Sequence, residues 1–495
     1  MNQVVIFGDN VVSRPLSIYT LASHLNKNGV TAKPLWVWKT DGDTFDAVCR
    51  KYISKDTVAV GISASLIRLY TPNFFGIPTE EFQRRVNLIK SISPSCKIIV
   101  GGSQVPHSNL STLPEVSMID LFVEGQGEHI FLEIVQSIIA GKQVKTISLS
   151  PKVTSDQLYP YLTFSKDVTD IDDFVSPREA LPIELARGCI FRCSYCTFLN
   201  GVTGASDYVR KPEVLRDIFM RNYEKYGTTN YYVLDDLIND SEEKVDMILE
   251  VSKSLPFKLS YTGYIRLDMI WRFPSMAQKL LDSGLIGCFM GIETINDESG
   301  KAVKKGLGRK RTDEGLAICH AAWKGRVFVT TGIILGLPHD DSTTKTELLN
   351  WLNEPATKAV IQQPYVKPFG IIHESKMEND IEKNPAKYGY TFDGPILVNN
   401  TMFTDWHTDK YSFQQAKVDA QEVHDNFFNT KKYSQFLNVF ELPVLLSMSD
   451  HPDEILDMIL HDRSTLWADS NEFKAYRQKL LDEQKSTYIN RLLSE

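Results

Sequence analysis

Three cysteines stand close together in the middle of the chain, and their spacing suits metal chemistry. Cys189, Cys193 and Cys196 form a C-x3-C-x2-C run shortly after an apolar stretch. Three thiolates at this spacing are able to hold three irons of a [4Fe–4S] cube, which leaves the fourth iron without a protein ligand. An open metal position is where chemistry takes place, as at the unfilled ligand position of a catalytic zinc. The run therefore predicts a reactive iron–sulfur centre.

A zinc site and a set of ordinary buried thiols are the alternatives. A structural zinc site built on three or four cysteines usually shows two separated pairs, and no second C-x2-C occurs in the chain. The remaining cysteines are scattered singly, as small buried side chains usually are: Cys49, Cys96, Cys288 and Cys319. Because no cysteine follows Cys319, we expect a single cluster.

Tyr195, the aromatic residue just before the last cysteine, completes a pattern that resembles the signature of radical S-adenosylmethionine (SAM) enzymes. The resemblance implies that the open iron chelates the amino and carboxylate groups of the methionine part of SAM. It also implies that one electron from the cluster splits SAM into methionine and a 5′-deoxyadenosyl radical, which abstracts hydrogen from a substrate. A one-electron reductant such as flavodoxin or ferredoxin is then an expected partner.

Length and composition favour a soluble protein of two or three domains, because 495 residues are too many for one ordinary core. The net charge of −8 argues against a general nucleic-acid surface, so duplex nucleic acid is not an expected partner. No apolar run approaches the roughly 18 residues that span a bilayer, and the N-terminus lacks the layout of a signal peptide. The odd number of cysteines fits a reducing compartment, so we expect a cytoplasmic protein.

The first 150 residues alternate short apolar runs with amphipathic stretches. Strands are predicted at Gln3–Gly8, Ala32–Val37, Thr57–Ser63, Lys97–Gly101 and Leu121–Val123, with helices between them. This order predicts an α/β fold with a doubly wound, Rossmann-like parallel sheet. Ligands on such sheets bind beyond the carboxyl ends of the strands.

The loops at those ends resemble the cobalamin (B12)-binding type of domain that precedes many radical SAM cores. The resemblance rests on Val60-Gly-Ile-Ser-Ala-Ser, Ile98-Ile-Val-Gly-Gly-Ser and Asp120-Leu-Phe-Val-Glu-Gly, and it implies a cofactor site at Ser63, Gly101, Gly102, Ser103 and Glu124. The D-x-H-x-x-G element of cobalamin mutases is absent from the chain, as in many radical SAM relatives. A domain that keeps this fold as a platform without binding cobalamin is the alternative.

A second alternating series follows a polar connector at 151–180. Six β-α units over 181–370 predict a partial (β/α)6 barrel of TIM type, with active groups at the carboxyl ends of its strands. The cysteine run follows the first of these strands. Residues 371–495 break the rhythm and show helix-like periodicity, so we expect a helical C-terminal region, which would close the open side of the barrel.

Polar residues at the predicted strand ends match further parts of the radical SAM pattern. Asp235 and Asp236 follow the second strand, where the family binds the amino group of SAM, although a pair of helix-capping residues has the same appearance. Arg266 follows the third strand and resembles the family's arginine near SAM, with an exposed salt bridge as the alternative. Glu293 lies in a Gly-Ile-Glu segment, and Lys305 lies in the basic run after it. The resemblance implies that both residues contact SAM.

Gly336 lies in Gly332-Ile-Ile-Leu-Gly-Leu-Pro, which resembles the segment whose backbone cradles adenine in that family. Pro368-Phe-Gly departs from the family's usual Pro-Gly-Thr corner, so the substrate remains open among small molecules, peptides and nucleotide-type compounds. The resemblance implies cobalamin-dependent methylation of an unactivated carbon. The alternatives are a cobalamin-independent cyclase, rearrangement or epimerisation enzyme, and a zinc-stabilised binding protein without enzymatic activity.

Overall fold

The structure is a computed structural model of the chain. It describes residues 2–10, 13–66, 77–102, 117–124, 127–144, 147–149, 171, 173–196, 208–373, 379–398, 401–430, 438–461 and 471–494. Within these ranges, every helix is too short or too polar to cross a membrane.

The N-terminal part is a six-stranded parallel sheet with helices on both faces, which confirms the predicted Rossmann-like fold. Its strands are β1 (Gln3–Phe7), β2 (Thr31–Leu35), β3 (Thr57–Ser63), β4 (Lys97–Gly102), β5 (Leu121–Glu124) and β6 (Ile147–Leu149), in the order β2-β1-β3-β4-β5-β6. Its helices are α1 (Leu16–Lys27), α2 (Gly42–Tyr52), α3 (Thr79–Ile92) and α4 (Gly127–Ile139). The strand order reverses between β1 and β3, and the carboxyl ends of strands at such a switch point form a ligand crevice.

The second sheet also has six parallel strands and forms the predicted partial barrel. Its strands are β7 (Leu181–Ile183), β8 (Asn230–Val233), β9 (Ser260–Arg266), β10 (Leu285–Glu293), β11 (Phe328–Leu335) and β12 (Gln363–Pro368), and they neighbour one another in sequence order. The helices around it are α5 (Pro212–Tyr226), α6 (Glu242–Lys253), α7 (Leu267–Arg272), α8 (Ser275–Asp282), α9 (Asp297–Ala302), α10 (Gly308–Trp323), α11 (Thr344–Asn353) and α12 (Pro355–Lys358).

The C-terminal region contains the expected helices and an antiparallel hairpin that the sequence analysis did not predict. The helices are α13 (Asp380–Lys383), α14 (Phe413–Thr430), α15 (Leu442–Met448), α16 (Pro452–His461) and α17 (Asn471–Ser494). The hairpin joins β13 (Thr391–Val398) to β14 (Thr401–His407). Its first strand alternates exposed and half-buried residues, as a strand with one packed face does.

The C-terminal region packs against both sheets. Phe440 packs in the barrel beneath Tyr232 and Tyr264, with ring centroids 5.0 and 4.8 Å away. Helix α17 reaches the N-terminal sheet, where Tyr488 is fully buried against Trp36. The region therefore packs into the barrel and ties the barrel to the first sheet.

Candidate active site

The cysteine run lies in the loop after β7, at the carboxyl end of the barrel. Cys189, Cys193 and Cys196 are all partly exposed, whereas the four scattered cysteines are buried. Burial raises the pKa of the Cys189 thiol. Within the described ranges, no three His, Cys, Asp or Glu side chains converge on a position for a single metal ion. Three thiolates that each bind a different iron of a cube do not need to converge in that way.

Two distant segments hold this loop by its backbone. The amide of Ser194 donates to the carbonyl of Val303 at 2.9 Å, just after α9. From the C-terminal region, the Asn379 side chain donates to the carbonyl of Tyr195 at 2.9 Å, and the amide of Ile381 donates to Ser194 at 3.1 Å. Sequence reasoning missed Asn379, because its only local signal is that of a helix N-cap, a role it also fills.

Arg266 reaches the cysteine loop from the end of β9. Its Nη1 donates to the Sγ of Cys193 at 3.2 Å, and its guanidinium lies 3.8 Å from the centroid of the Phe191 ring. Asp268 accepts two further hydrogen bonds from it, at 2.9 and 2.6 Å. The arginine is therefore fixed in orientation beside a cysteine sulfur, and its contact with the SAM carboxylate remains a prediction.

Glu293 and Lys305 were predicted at the same site, and the structure brings them together. The Nζ of Lys305 lies 2.7 Å from the Oε1 of Glu293. A small crevice beside this pair is also lined by Asp268, the residue that orients Arg266. The arginine end of β9 and the glutamate end of β10 thus adjoin, as the barrel register requires.

The two adjacent carboxylates that follow β8 lie in different surroundings. Asp235 is buried, accepts a hydrogen bond from the amide of Leu185 at 2.7 Å, and pairs with the equally buried Lys244 at 2.8 Å. Asp236 is only half-buried. Burial, together with the nearby charge of Asp235, raises its pKa to about 6. Asp235 therefore holds the barrel together, and Asp236 is the carboxylate with capacity left for a ligand.

Gly336 follows β11 and has a positive φ of 86°, which favours glycine. A Cβ at this position would lie 2.3 Å from the ring of Trp406. The carbonyl of Gly336 accepts a hydrogen bond from the Tyr390 hydroxyl at 2.5 Å. The close approach of Trp406 therefore explains this glycine. The predicted contact with adenine stays a prediction.

A cavity of about 390 Å³ lies at the switch point of the first sheet. Ser63, Gly101 and Gly102, three of the residues predicted to contact cobalamin, line it together with Phe131 of α4. Their contact with cobalamin stays a prediction. Glu124 ends the neighbouring strand, but its side chain lies outside the described part of the structure, as does Ser103. The φ of Gly102 is 132°, so a side chain there would strain the backbone that forms the cavity wall.

The far wall of this cavity belongs to the barrel. Glu184, Arg187 and Leu234 line it from that side. Arg187 pairs with Glu128 at the start of α4 and with Glu184, both at 2.6 Å. Since Arg187 stands two residues before Cys189, one ion-pair network connects the cavity to the cysteine loop. Neither Glu128 nor Arg187 was singled out from the sequence, although Glu128 lies three residues after the Asp120–Gly125 motif and Arg187 two residues before the cysteine run.

Comparisons with known proteins agree with this architecture. Residues 183–352 match the model of the Radical SAM superfamily. An uncharacterized methyltransferase of Pyrococcus horikoshii is 22% identical over 298 residues, which cover 56% of this chain and 63% of the relative. The anaerobic magnesium-protoporphyrin IX monomethyl ester cyclase of Cereibacter sphaeroides is 21% identical over 289 residues, which cover 54% and 46%. The chain thus spans less than two thirds of the length of these relatives.

Two solved structures share the fold over nearly the whole chain. The radical SAM methyltransferase TsrM of Kitasatospora setae, with cobalamin and a [4Fe–4S] cluster bound, aligns with a TM-score of 0.62 and 14% identity, covering 98% of this chain and all of that one. The cobalamin-dependent SAM radical enzyme OxsB, with aqua-cobalamin and SAM bound, aligns with a TM-score of 0.59 and 13% identity, covering 100% and 84%. Both support the two-sheet architecture described above.

Proposed function

We propose that the chain is a cobalamin-dependent radical SAM enzyme that methylates an unactivated carbon of a small molecule. The match of residues 183–352 to the Radical SAM superfamily and the fold shared with TsrM and OxsB support this proposal. The junction at Arg187 carries this proposal, because the glycine-lined cavity meets the cysteine loop there. The two predicted cofactor sites are therefore neighbours, as a reaction that needs both cofactors requires.

The residues of the cysteine loop fit an iron–sulfur cluster. Cys189, Cys193 and Cys196 offer three partly exposed thiols, and Arg266 already donates a hydrogen bond to one of them. We assign these cysteines as the cluster ligands. When bound, a [4Fe–4S] cluster supplies the electron that cleaves SAM, and an external reductant of the flavodoxin or ferredoxin type replaces it.

The surrounding side chains would bind and orient SAM. Asp236 offers a half-buried carboxylate to the ammonium group of its methionine part. Glu293 and Lys305 offer an acceptor and a donor to its other polar groups. Asp235 and Lys244 contact no ligand in this assignment, because they hold the end of β8 in place from within the core.

The cavity of the first sheet fits part of a large ligand. Its volume of about 390 Å³ suits the nucleotide end of cobalamin better than the whole cofactor. The small residues Ser63, Gly101 and Gly102 let the backbone approach such a ligand closely. When bound, cobalamin carries a methyl group to carbon centres that the sulfonium of SAM does not alkylate.

Anaerobic reconstitution with iron, sulfide and cobalamin tests the proposal. We expect about four irons per chain, bound cobalamin, and formation of 5′-deoxyadenosine when SAM and a reductant are added. Cys193→Ala should abolish 5′-deoxyadenosine formation, whereas Cys96→Ala, which removes a buried thiol of the first sheet, should retain it. A colourless protein with stoichiometric zinc would instead indicate a zinc-stabilised binding protein.

A second pair of variants tests the cobalamin site. Gly101→Leu places a side chain in the cavity and should abolish cobalamin binding while leaving 5′-deoxyadenosine formation intact. The control Gly42→Leu meets only the flexible end of Arg84, so it should leave both unchanged. A wild-type protein that cleaves SAM but binds no cobalamin would contradict the methylation proposal and favour a cyclase, rearrangement or epimerisation.

A further inference from the structure

Aromatic side chains line the inner face of the barrel below the predicted SAM site. Tyr264 and Phe289 are register partners on β9 and β10, with ring centroids 5.4 Å apart. Tyr365 on β12 lies 6.1 Å from Phe289 on the other side. Phe440 closes the floor beneath them, 4.8 Å from Tyr264. We call Tyr264, Phe289 and Tyr365 the aromatic wall.

The side chains of the aromatic wall are less buried than the core residues of the barrel. The Tyr365 side chain is 47% exposed, and Tyr264 and Phe289 are only half-buried. The register partner of Tyr365 is Gly332, and a Cβ there would lie 2.7 Å from the Phe289 ring. The glycine therefore lets the Phe289 ring lie across β11 and leaves an open face beside Tyr365. Barrels of this type normally pack such positions with branched side chains.

The wall lies directly beneath the residues assigned to SAM. Tyr264 precedes Arg266 by two residues on β9, and Phe289 precedes Glu293 by four on β10. At about 3.3 Å per residue, these separations are about 7 and 13 Å along the strands. A ring held against the wall would therefore present its upper edge to the SAM site.

The positive charge of Lys367, at the edge of the aromatic wall, indicates which chemical class of ligand would bind there. The Nζ of Lys367 lies 4.8 Å from the centroid of the Tyr365 ring, two residues further along the same strand. Among the described residues, no carboxylate forms an ion pair with this lysine, whereas most of the other charged groups around the site are paired. A neutral aliphatic ligand would use neither the ring faces nor this cation, and an aliphatic anion would use only the cation, but an aromatic anion uses both.

We propose that the barrel binds a flat aromatic substrate carrying an anionic group, with its ring against Phe289 and Tyr365 and its anion at Lys367. This inference rests on the proposed function, because it names the substrate class of that site. It assigns binding and specificity to residues that no sequence motif marked.

Equilibrium binding to the anaerobically reconstituted protein tests the proposal with three probes. Indole-3-acetate has a flat ring and an anion, 3-methylindole keeps only the ring, and cyclohexylacetate keeps only the anion. We expect indole-3-acetate to bind about tenfold more tightly than either of the others. Equal binding of all three probes, or binding of none, would overturn the proposed substrate class.

Variants locate the site. Tyr365→Leu should weaken indole-3-acetate about tenfold and leave cyclohexylacetate unchanged, whereas Tyr365→Phe should retain binding. The control Tyr223→Leu alters a similarly exposed tyrosine that stacks on Phe257 outside the barrel, and it should have no effect. Lys367→Met should weaken indole-3-acetate but not 3-methylindole, and the exposed Lys417→Met should change neither. Retention of tight indole-3-acetate binding in Tyr365→Leu and Lys367→Met would refute the location.

Failure of this inference is distinguishable from failure of the proposed function. Formation of 5′-deoxyadenosine by the wild-type protein depends on the cysteine loop and can be measured without any probe. If that reaction proceeds while no probe prefers the aromatic anion, the radical SAM assignment stands and the substrate class falls.

Discussion

The chain contains two six-stranded parallel sheets whose carboxyl ends are built in opposite ways. In the first sheet, strands β3 and β4 end in Ser63, Gly101 and Gly102, which leave a cavity whose wall on the side of the sheet is mostly backbone and apolar side chains. In the barrel, strands β9 and β10 end in Arg266 and Glu293, which are charged and held by ion pairs. Two parallel sheets with different strand orders therefore carry one site defined mainly by shape and one defined mainly by charge.

The difference shows that the two kinds of site need different support from the residues packed beneath them. A cavity defined by shape needs only small residues at the surface, so the sheet behind it remains an ordinary apolar core. A site defined by charge needs its side chains fixed before the ligand arrives. The barrel meets this need by pairing Asp268 with Arg266, while the buried pair of Lys244 and Asp235 holds the end of β8 behind the site. Three changes test whether this contrast is real.

The largest expected effect is on the buried ion pair of the barrel. Lys244→Met leaves the wholly buried carboxylate of Asp235 without its cation, which should lower the free energy of unfolding by about 3–5 kcal/mol. The matched change in the first sheet is Lys90→Met, which removes a half-exposed lysine paired with Asp120 at 2.9 Å and should cost about 1 kcal/mol or less. Denaturant unfolding of both variants measures the difference, and equal losses would contradict the contrast.

The first five strands of the N-terminal sheet and the six β-α units of the barrel were predictable from the sequence, because buried parallel strands are apolar runs that end at small or charged residues. Strand β6 (Ile147–Leu149) was not predicted. The bounds of β3 agree with the prediction at both ends. The hairpin of β13 and β14 was not predicted, because its single packed face produces a weak alternation among polar and aromatic residues.

The position of the site at the strand ends was predictable from the sequence. Which of its residues are buried in the core and which remain available to a ligand was not. Asp235 and Asp236 are neighbours in sequence and gave the same signal, yet Asp235 is buried in the core and Asp236 is only half-buried. The partner that decides this, Lys244, lies on the following helix, so only the tertiary structure reveals it. The aromatic wall was missed for the same reason, since its residues come from three separate strands.

A second prediction concerns the electrostatics of the cysteine loop. Replacing Arg266 by Gln removes a positive charge and a hydrogen bond from the Sγ of Cys193, both of which stabilise a reduced cluster. We expect the reduction potential to fall by about 60 mV, a tenfold change in the equilibrium constant for one electron. A redox titration followed by electron paramagnetic resonance measures it, with the exposed Arg311→Gln as the control. An unchanged potential would show that Arg266 serves only as a structural ion pair.

The smallest expected effect concerns one carboxylate near each sheet, Asp236 and Asp120. Their contributions to the free energy of unfolding should change with pH in opposite directions. Burial and the charge of Asp235 raise the pKa of Asp236 to about 6, so the folded protein binds a proton there more tightly than the unfolded chain. Its contribution to stability is therefore present at low pH and is lost as the pH rises through about 6. At pH 8, Asp236→Asn should raise the free energy of unfolding by about 1 kcal/mol, less than the roughly 3 kcal/mol of a full two-unit shift because the carboxylate is partly solvated.

Asp120 of the first sheet should behave in the opposite way. Burial raises the pKa of its carboxyl, but the hydrogen bonds from Lys90, Ile98 and Lys97 outweigh burial and lower it below its usual value. Its contribution to stability is present at neutral pH and is lost as the pH falls through its folded pKa. Asp120→Asn should therefore destabilise the protein at pH 8, where Asp236→Asn stabilises it. Unfolding curves at pH 5 and pH 8 decide the matter, since shifts of the same sign would show that the two carboxylates are held alike.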